Sequence, residues 1–392
     1  MGLVFDQTSG AYYATLSAAI SGSAANDVLL VPAGSYVENF PSITHSLTID
    51  AIGGLASLSN PQPIPPNDRA ILDVPFDAGV NLSISGLEIS GAQREEPNPN
   101  GAGILFEIGN GTLTVTNSYI HNNEDGILTG YPDAASPGGV MSVVISHSQI
   151  SDNGAPPGSS YAASGSDHNL YIGALTSFTL TDSYVSDEQG YGHEVKSRAL
   201  TNIITDNRIQ DGPSALVSYD IDLPDGGNSL ISGNVIEKGQ GAANEYMINF
   251  GGDGTYPGSS LTISDNTFIN DRPGGSIPLL NETSNPDGGG NVPALITGNT
   301  FYNIDPGNFF VDDNAPPSDI ASNNLFLTGT GPTLDTSPGY DVPEPASVLV
   351  LLFAVLSVAT MRFGENCVRR ARGFMRRSSV AAAMAIAVGR GL

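Results

Sequence analysis

The octets "LTISDNTF" (residues 261–268) and "ALITGNTF" (residues 294–301) carry one pattern twice, 33 residues apart. Seven others align with them without gaps: "LSISGLEI" from Leu82, "LTVTNSYI" from Leu113, "VVISHSQI" from Val143, "FTLTDSYV" from Phe178, "NIITDNRI" from Asn202, "SLISGNVI" from Ser229 and "DIASNNLF" from Asp319. Successive starts lie 24 to 35 residues apart. A repeat of this period means one structural unit stacked many times, each burying its apolar face against the next.

Each column has a physical meaning. The third and eighth positions are apolar throughout, which places them in the core. The fourth is always Ser or Thr, and the fifth is Gly, Asn, Asp or, once, His147. Those types tolerate left-handed backbone, so a strand is expected to bend there. The sixth position runs Leu87, Ser118, Ser148, Ser183, then Asn207, Asn234, Asn266, Asn299 and Asn324. Like amides one coil apart are expected to form an internal ladder that hydrogen-bonds the bends. Short strands, sharp bends and a stacked ladder describe a parallel β-helix. A sandwich would alternate strand directions and has no reason to repeat Asn at one bend.

Composition agrees with an all-β chain. Among 392 residues there are 47 Gly and 27 Pro, no Trp and 14% charged residues, while 40% are hydrophobic, enough for a core. Positions 1–345 hold seven basic against 39 acidic residues, a net of −32. Such a body repels nucleic acid and anionic membrane, and its partners are expected among cations, neutral glycans or metal-bridged polyanions. The single cysteine, Cys367, excludes an intrachain disulfide framework and Cys-rich zinc sites.

On the octets, and over roughly residues 12–330, the sequence resembles the right-handed β-helix repeat, pectin-lyase-like superfamily. The resemblance implies a right-handed single-stranded parallel β-helix with an N-terminal cap. "ATLSAAISGSAANDVLLVPAGSYVENF" (residues 14–40) looks like that cap's helix and first strand. The expected order is a cap and first coil over 1–50, the β-helix over 51–330, and a linker over 331–341.

The tail resembles a PEP-CTERM sorting signal: Pro343, Glu344 and Pro345, an uncharged, mostly apolar stretch over 346–361, then clustered arginines. The segment is taken as 342–377, with an extra tail over 378–392. Sixteen residues of helix span about 24 Å, marginally short for a bilayer. The resemblance implies export across the inner membrane of a Gram-negative bacterium, transient membrane residence through a C-terminal hydrophobic helix, and exosortase-type processing. It points to the cell envelope, cell surface or extracellular matrix. The first residues, "MGLVFDQTSG", show neither the basic nor the long apolar region of a secretory signal.

Chemistry is expected on a second strand between octets, in "SDHNLYIG" (166–173) and "YGHEVKSR" (191–198). His168 to His193 and Tyr171 to Lys196 are each separated by 25 residues, one coil. With Val195 inward, period-two alternation places Glu194, Lys196 and Arg198 on one outward face and turns His193 toward the core. Ser218, Asp220 and Asp222 are expected in the adjoining coil, their register open by one residue. The predicted patch is Asn169, Tyr171, Glu194, Lys196, Arg198 and Asp220, with His168 and His193 beside it.

Read as a uronate-polysaccharide lyase or epimerase site, Lys196 is the base, its pKa lowered by Arg198 and burial. Arg198 or a bound Ca²⁺ neutralises the substrate carboxylate, and Tyr171 or His193 returns the proton. Asn169, His168, Glu194 and Asp220 then hold the polysaccharide. β-Helix lyases that pair Lys with Arg are the resemblance, although no pectate-lyase, polygalacturonase or mannuronan-epimerase signature is present. Read as plain structure, the same residues form cross-strand ion pairs worth tenths of a kcal/mol. The non-catalytic alternative is a surface or exopolysaccharide-matrix protein. Two acidic loops, "IDLPDGGN" (221–228) and "VDDNAPPSD" (311–319), offer oxygen ligands of the kind Ca²⁺ takes, without a regular metal-site spacing. A free Lys196 ammonium favours catalysis, and a paired one favours structure.

Overall fold

The octets stack in the register their alignment sets. Leu82 lies opposite Leu113, Leu113 opposite Val143, Val143 opposite Phe178 and Phe178 opposite Asn202, all in parallel. The series continues through Ser229, Leu261 and Ala294, and Leu295 then faces Ile320 in the last coil. This computed structural model describes residues 2–332, except 62–68, 76–78, 94–100, 108, 130–140, 155–164, 214, 284–290, 314–317 and 330. The segment 342–377, with Pro343, Glu344 and Pro345, therefore lies outside the described residues. Among the described residues no helix is long and apolar enough to cross a membrane.

All nine fifth-position residues have positive φ, from 48° at Asn117, His147 and Asp182 to 72° at Gly298. Each octet is thus two short strands joined by a left-handed corner. The two strands contribute to separate faces of the coil, and a nine-stranded sheet forms a third face. That third sheet runs from Ala70–Val74 through Leu170–Ile172, Val195–Ser197, Ile221–Leu223, Tyr246–Phe250 and Ile277–Asn281 to Phe310–Asp312. Successive coils pair in parallel on every face, the arrangement of a parallel β-helix or solenoid.

The ladder forms at the octet corner. The Asn207 N–H donates to Asn234 Oδ1 at 2.9 Å, that of Asn234 to Asn266 at 2.9 Å, and that of Asn266 to Asn299 at 2.9 Å. Asn299 N–H donates to Asn324 Oδ1 at 3.0 Å. Upstream the hydroxyls of Ser118, Ser148 and Ser183 take the same role, each accepting from the preceding corner. The third-position side chains are buried from Ile84 to Ile296, whereas Ala321, in the last described coil, is exposed. Phe268, Phe301 and Phe326 stack with centroids 5.1 and 4.9 Å apart, burying their apolar area against each other.

The opening helix forms over Leu16–Gly22, the single helix among the described residues. Thr15 caps it by accepting from Ala18 N–H at 3.1 Å, and the Glu38 carboxylate takes the Leu16 and Ser17 amides. It buries Leu16, Ala19 and Ile20. The strand Asp27–Val37 pairs in parallel with Leu47–Ser59, and Leu47 faces Leu82. Parallel stacking thus starts two strands before the first octet.

Candidate functional site

The third sheet carries the patch. Tyr171 pairs with Lys196, and Lys196 with Asp222 rather than Asp220, which resolves the open register. Three positions upstream of that row, just before each strand begins, His168, His193 and Tyr219 form a second row along the stack. Their ring centroids are 4.9 Å apart for the two histidines and 5.2 Å for His193 and Tyr219. Gly192 permits this closeness, because a Cβ there would collide with the Asp167 carbonyl oxygen.

The imidazoles are chained through the backbone. His193 N–H donates to His168 Nδ1 at 3.0 Å, and Tyr219 N–H donates to His193 Nδ1 at 3.2 Å. With Nδ1 accepting, the His193 proton sits on Nε2, which lies 3.3 Å from Asp222 Oδ2. Burial, and then the neighbouring cationic or imidazole charge, pushes both histidines well below the usual range. His193 is therefore neutral at pH 7, and its approach to Asp222 is a polar contact rather than an ion pair.

Asp222 is the hub of the patch. Its Oδ2 accepts from Lys196 Nζ at 2.7 Å and lies 3.3 Å from His193 Nε2, and its Oδ1 accepts from Asn249 Nδ2 at 2.9 Å. Lys196 also lies over the Tyr171 ring, 5.9 Å from its centroid. Arg198 reaches Asp225 and Asp253, each at 2.7 Å, and its Nε donates to Tyr171 Oη at 3.3 Å. The Tyr256 hydroxyl donates to the Arg198 carbonyl at 2.8 Å. Arg198 thus clamps the turns at 224–227 and 251–258 onto the sheet, and those carboxylates hold its guanidinium more firmly protonated.

Four expectations need correction. Glu194 does not face outward: it is fully buried, accepts from Glu188 N–H at 3.0 Å and from the Asn169 side chain, and burial raises its pKa well above the usual range. The reason is local: the strand begins at Val195, residue 194 sits in a bend, and period-two alternation does not extend through a bend. His193, for the same reason, is directed toward Asp222 on the outer face rather than the core. Asn169 is also interior, accepting from Asn153 Nδ2 at 2.7 Å in a second corner ladder that begins at Asn123. Asp220 faces away from Arg198 into a buried cluster, where Lys238 Nζ lies 3.3 Å from Asp211 and 3.6 Å from Asp220.

Tyr171, Lys196 and Arg198 are thus brought together on the outer face, with His193 and the buried His168 beneath. Glu194, Asn169 and Asp220 are interior. Sequence reasoning missed Tyr219 and Asp253; it placed Asp222 in the adjoining coil and Asp225 in an acidic loop without assigning either as a partner of Lys196 or Arg198. The one-coil spacing of 26 residues from Lys196 to Asp222 and from His193 to Tyr219 was the available signal.

Neither acidic loop forms a metal site in the described residues. No group of three or more His, Cys, Asp or Glu is arranged to hold a metal ion there. In 221–228, Asp222 and Asp225 are neutralised by Lys196 and Arg198; in 311–319, residues 314–317 lie outside the described set. Half-buried Tyr219 and Tyr246, whose phenols are raised by burial first and then by nearby carboxylates including Glu245 and Glu282, extend the patch along the stack. Comparison with family models, curated proteins and solved structures found no match for the chain.

Proposed function

We propose that the protein is an exported, surface or extracellular β-helix protein that binds polysaccharide along its third sheet without cleaving it. The observation that carries this reading is the saturation of Lys196, whose ammonium donates at 2.7 Å to an Asp222 already engaged by His193 and Asn249. A lysine base must offer its nitrogen to the substrate proton, and here that nitrogen is already committed to a carboxylate. β-Elimination through Lys196 is the reading this pairing disfavours.

What remains is a strip of half-buried tyrosines among paired charges, Tyr171, then Tyr219 two coils on and Tyr246 one coil beyond it. Aromatic faces flanked by oriented hydrogen-bonding groups suit hydroxyl-rich chains. Cations in the strip are matched by Asp222, Asp225 and Asp253, so nothing there selects a polyanion, and a neutral polysaccharide fits better than a polyuronide. In this proposal the fold belongs to the pectin-lyase-like class, and the PEP-CTERM-type tail with its exosortase-type processing delivers the body outside the cytoplasm.

Affinity electrophoresis of residues 1–341 through neutral glucans, mannans and galactans and through polyuronides tests it, with ultraviolet detection of unsaturated uronates alongside. Expected are retardation by a neutral polymer, about tenfold weaker on Tyr219→Ala, and no absorbance. Unsaturated products abolished by Lys196→Ala, or retardation by polyuronides alone, overturn it.

A further inference from the structure

We propose that a cavity at the corner between the second and third faces is a subsite for one neutral, hydroxyl-rich sugar residue. This deepens the polysaccharide-binding reading and rests on it, because the cavity adjoins the strip's downstream end through Glu245. It has a volume of about 480 Å³ and is lined by Glu245, Arg272, Ser276, Ile277, Asp305 and Asn308, among others. That volume lies within the range of small-molecule pockets. Tyr246 of the strip pairs with Ile277 at its rim.

Three features point to a ligand. The first is Arg272, whose guanidinium is held by backbone carbonyls, Gly275 O at 3.0 Å and Ala242 O at 3.5 Å, with no described carboxylate paired to it. Lys196, Arg198 and Lys238 all have carboxylate partners, so a guanidinium left with spare donors in a cavity is unusual in this acidic chain. The second is Ser276: it is 6% exposed, lines the cavity, and its hydroxyl has no hydrogen-bond partner. Buried hydroxyls are ordinarily satisfied, and a ligand hydroxyl would satisfy this one. The third is preorganisation. Asp305 Oδ1 accepts from Gly307 N–H at 2.8 Å and its carbonyl from Asn308 N–H at 3.0 Å, while the Glu245 carbonyl accepts from Ile277 N–H at 2.7 Å. The walls are set before a ligand arrives.

The polar set decides the ligand class. Two carboxylates accept from sugar hydroxyls, the guanidinium and the Asn308 amide donate to ring or hydroxyl oxygens, and Ser276 does either. One cation against two anions leaves the cavity net negative, which disfavours a uronate carboxylate.

Ligand-observed NMR titrations of the full-length protein with glucose, mannose, galactose, glucuronate and galacturonate test the subsite. A neutral hexose is expected to bind in preference to both uronates. Arg272→Ala is expected to weaken that binding by about tenfold or more. Ser276→Ala is expected to weaken it by about threefold, with an unchanged or higher unfolding midpoint because it removes an unpaired buried hydroxyl. No hexose binding, preference for a uronate, or affinity unmoved by both variants overturns the proposal. Polymer binding without hexose binding removes the subsite and leaves the strip, whereas hexose binding without polymer binding does the reverse.

Discussion

Glu237 should contribute stability in acid that is lost toward neutrality, and the size of that contribution can be worked out. The residue is 4% exposed, and its Oε2 accepts from Gly212 N–H at 3.3 Å. Burial first, and then the charge of Asp211, push its carboxyl from 4.5 up to about 7. The folded state therefore holds a proton that the unfolded chain releases. Since stability changes with pH as the protons bound unfolded minus those bound folded, it falls as pH rises from about 4.5 to about 7 and is flat beyond.

A rise of about 2.5 units corresponds to about 3 kcal/mol, of which about 2 kcal/mol falls between pH 5 and pH 8. Glu237→Gln keeps an acceptor for Gly212 and cannot titrate. Urea unfolding followed by circular dichroism at both pH values should show the wild type losing about 2 kcal/mol more than the variant over that interval. Asp167, also raised to about 7 by burial, and Glu188, Glu194 and Asp220, which burial raises well above the usual range, act in the same direction, and the buried neutral His168 and His193 act in the opposite one; all are common to both proteins and cancel in the difference. An equal change in the two proteins, or a larger loss in the variant, refutes the reasoning.

Two further outcomes follow from the ladder and the clamp. Asn234 accepts from the Asn207 amide at 2.9 Å and donates to the Ile204 carbonyl at 2.9 Å, so Asn234→Ala orphans two buried backbone groups and should cost about 3 kcal/mol. Asn324→Ala, in the last described coil and partly exposed, should cost about 1 kcal/mol, and equal shifts in denaturation midpoint would contradict a continuous ladder. Arg198→Ala releases Asp225 and Asp253 and should raise amide exchange in residues 251–259 by about tenfold, read by mass spectrometry, with no change in the Asn-ladder amides. Unchanged exchange there would mean that the Tyr256 hydroxyl bond to the Arg198 carbonyl holds the turn by itself.

Much of the fold was legible because it is periodic. Nine octets repeat the same local problem, and the residue types that solve it, apolar inward, left-handed at the corner, amide on the ladder, recur column by column. The rows Tyr171 to Lys196 and His168 to His193 were legible for the same reason, since one coil sets one register. The strand Leu47–Ser59 escaped the alignment because its fourth position is Asp50, although Leu47 and Ile49 keep the apolar spacing.

The amino-acid sequence determined which residues lie in the same row of the stack, because row membership depends only on repeat length and residue type. Which way each side chain points near a corner was decided in three dimensions. Strand alternation ends where the backbone bends, and the bend ahead of Val195 turned Glu194 into the interior and His193 onto the outer face. Partner choice was decided there as well. Lys196 met Asp222 and Arg198 met Asp225 and Asp253 because those carboxylates sit on the next coils and their turns, at distances no one-dimensional spacing specifies to within a hydrogen bond.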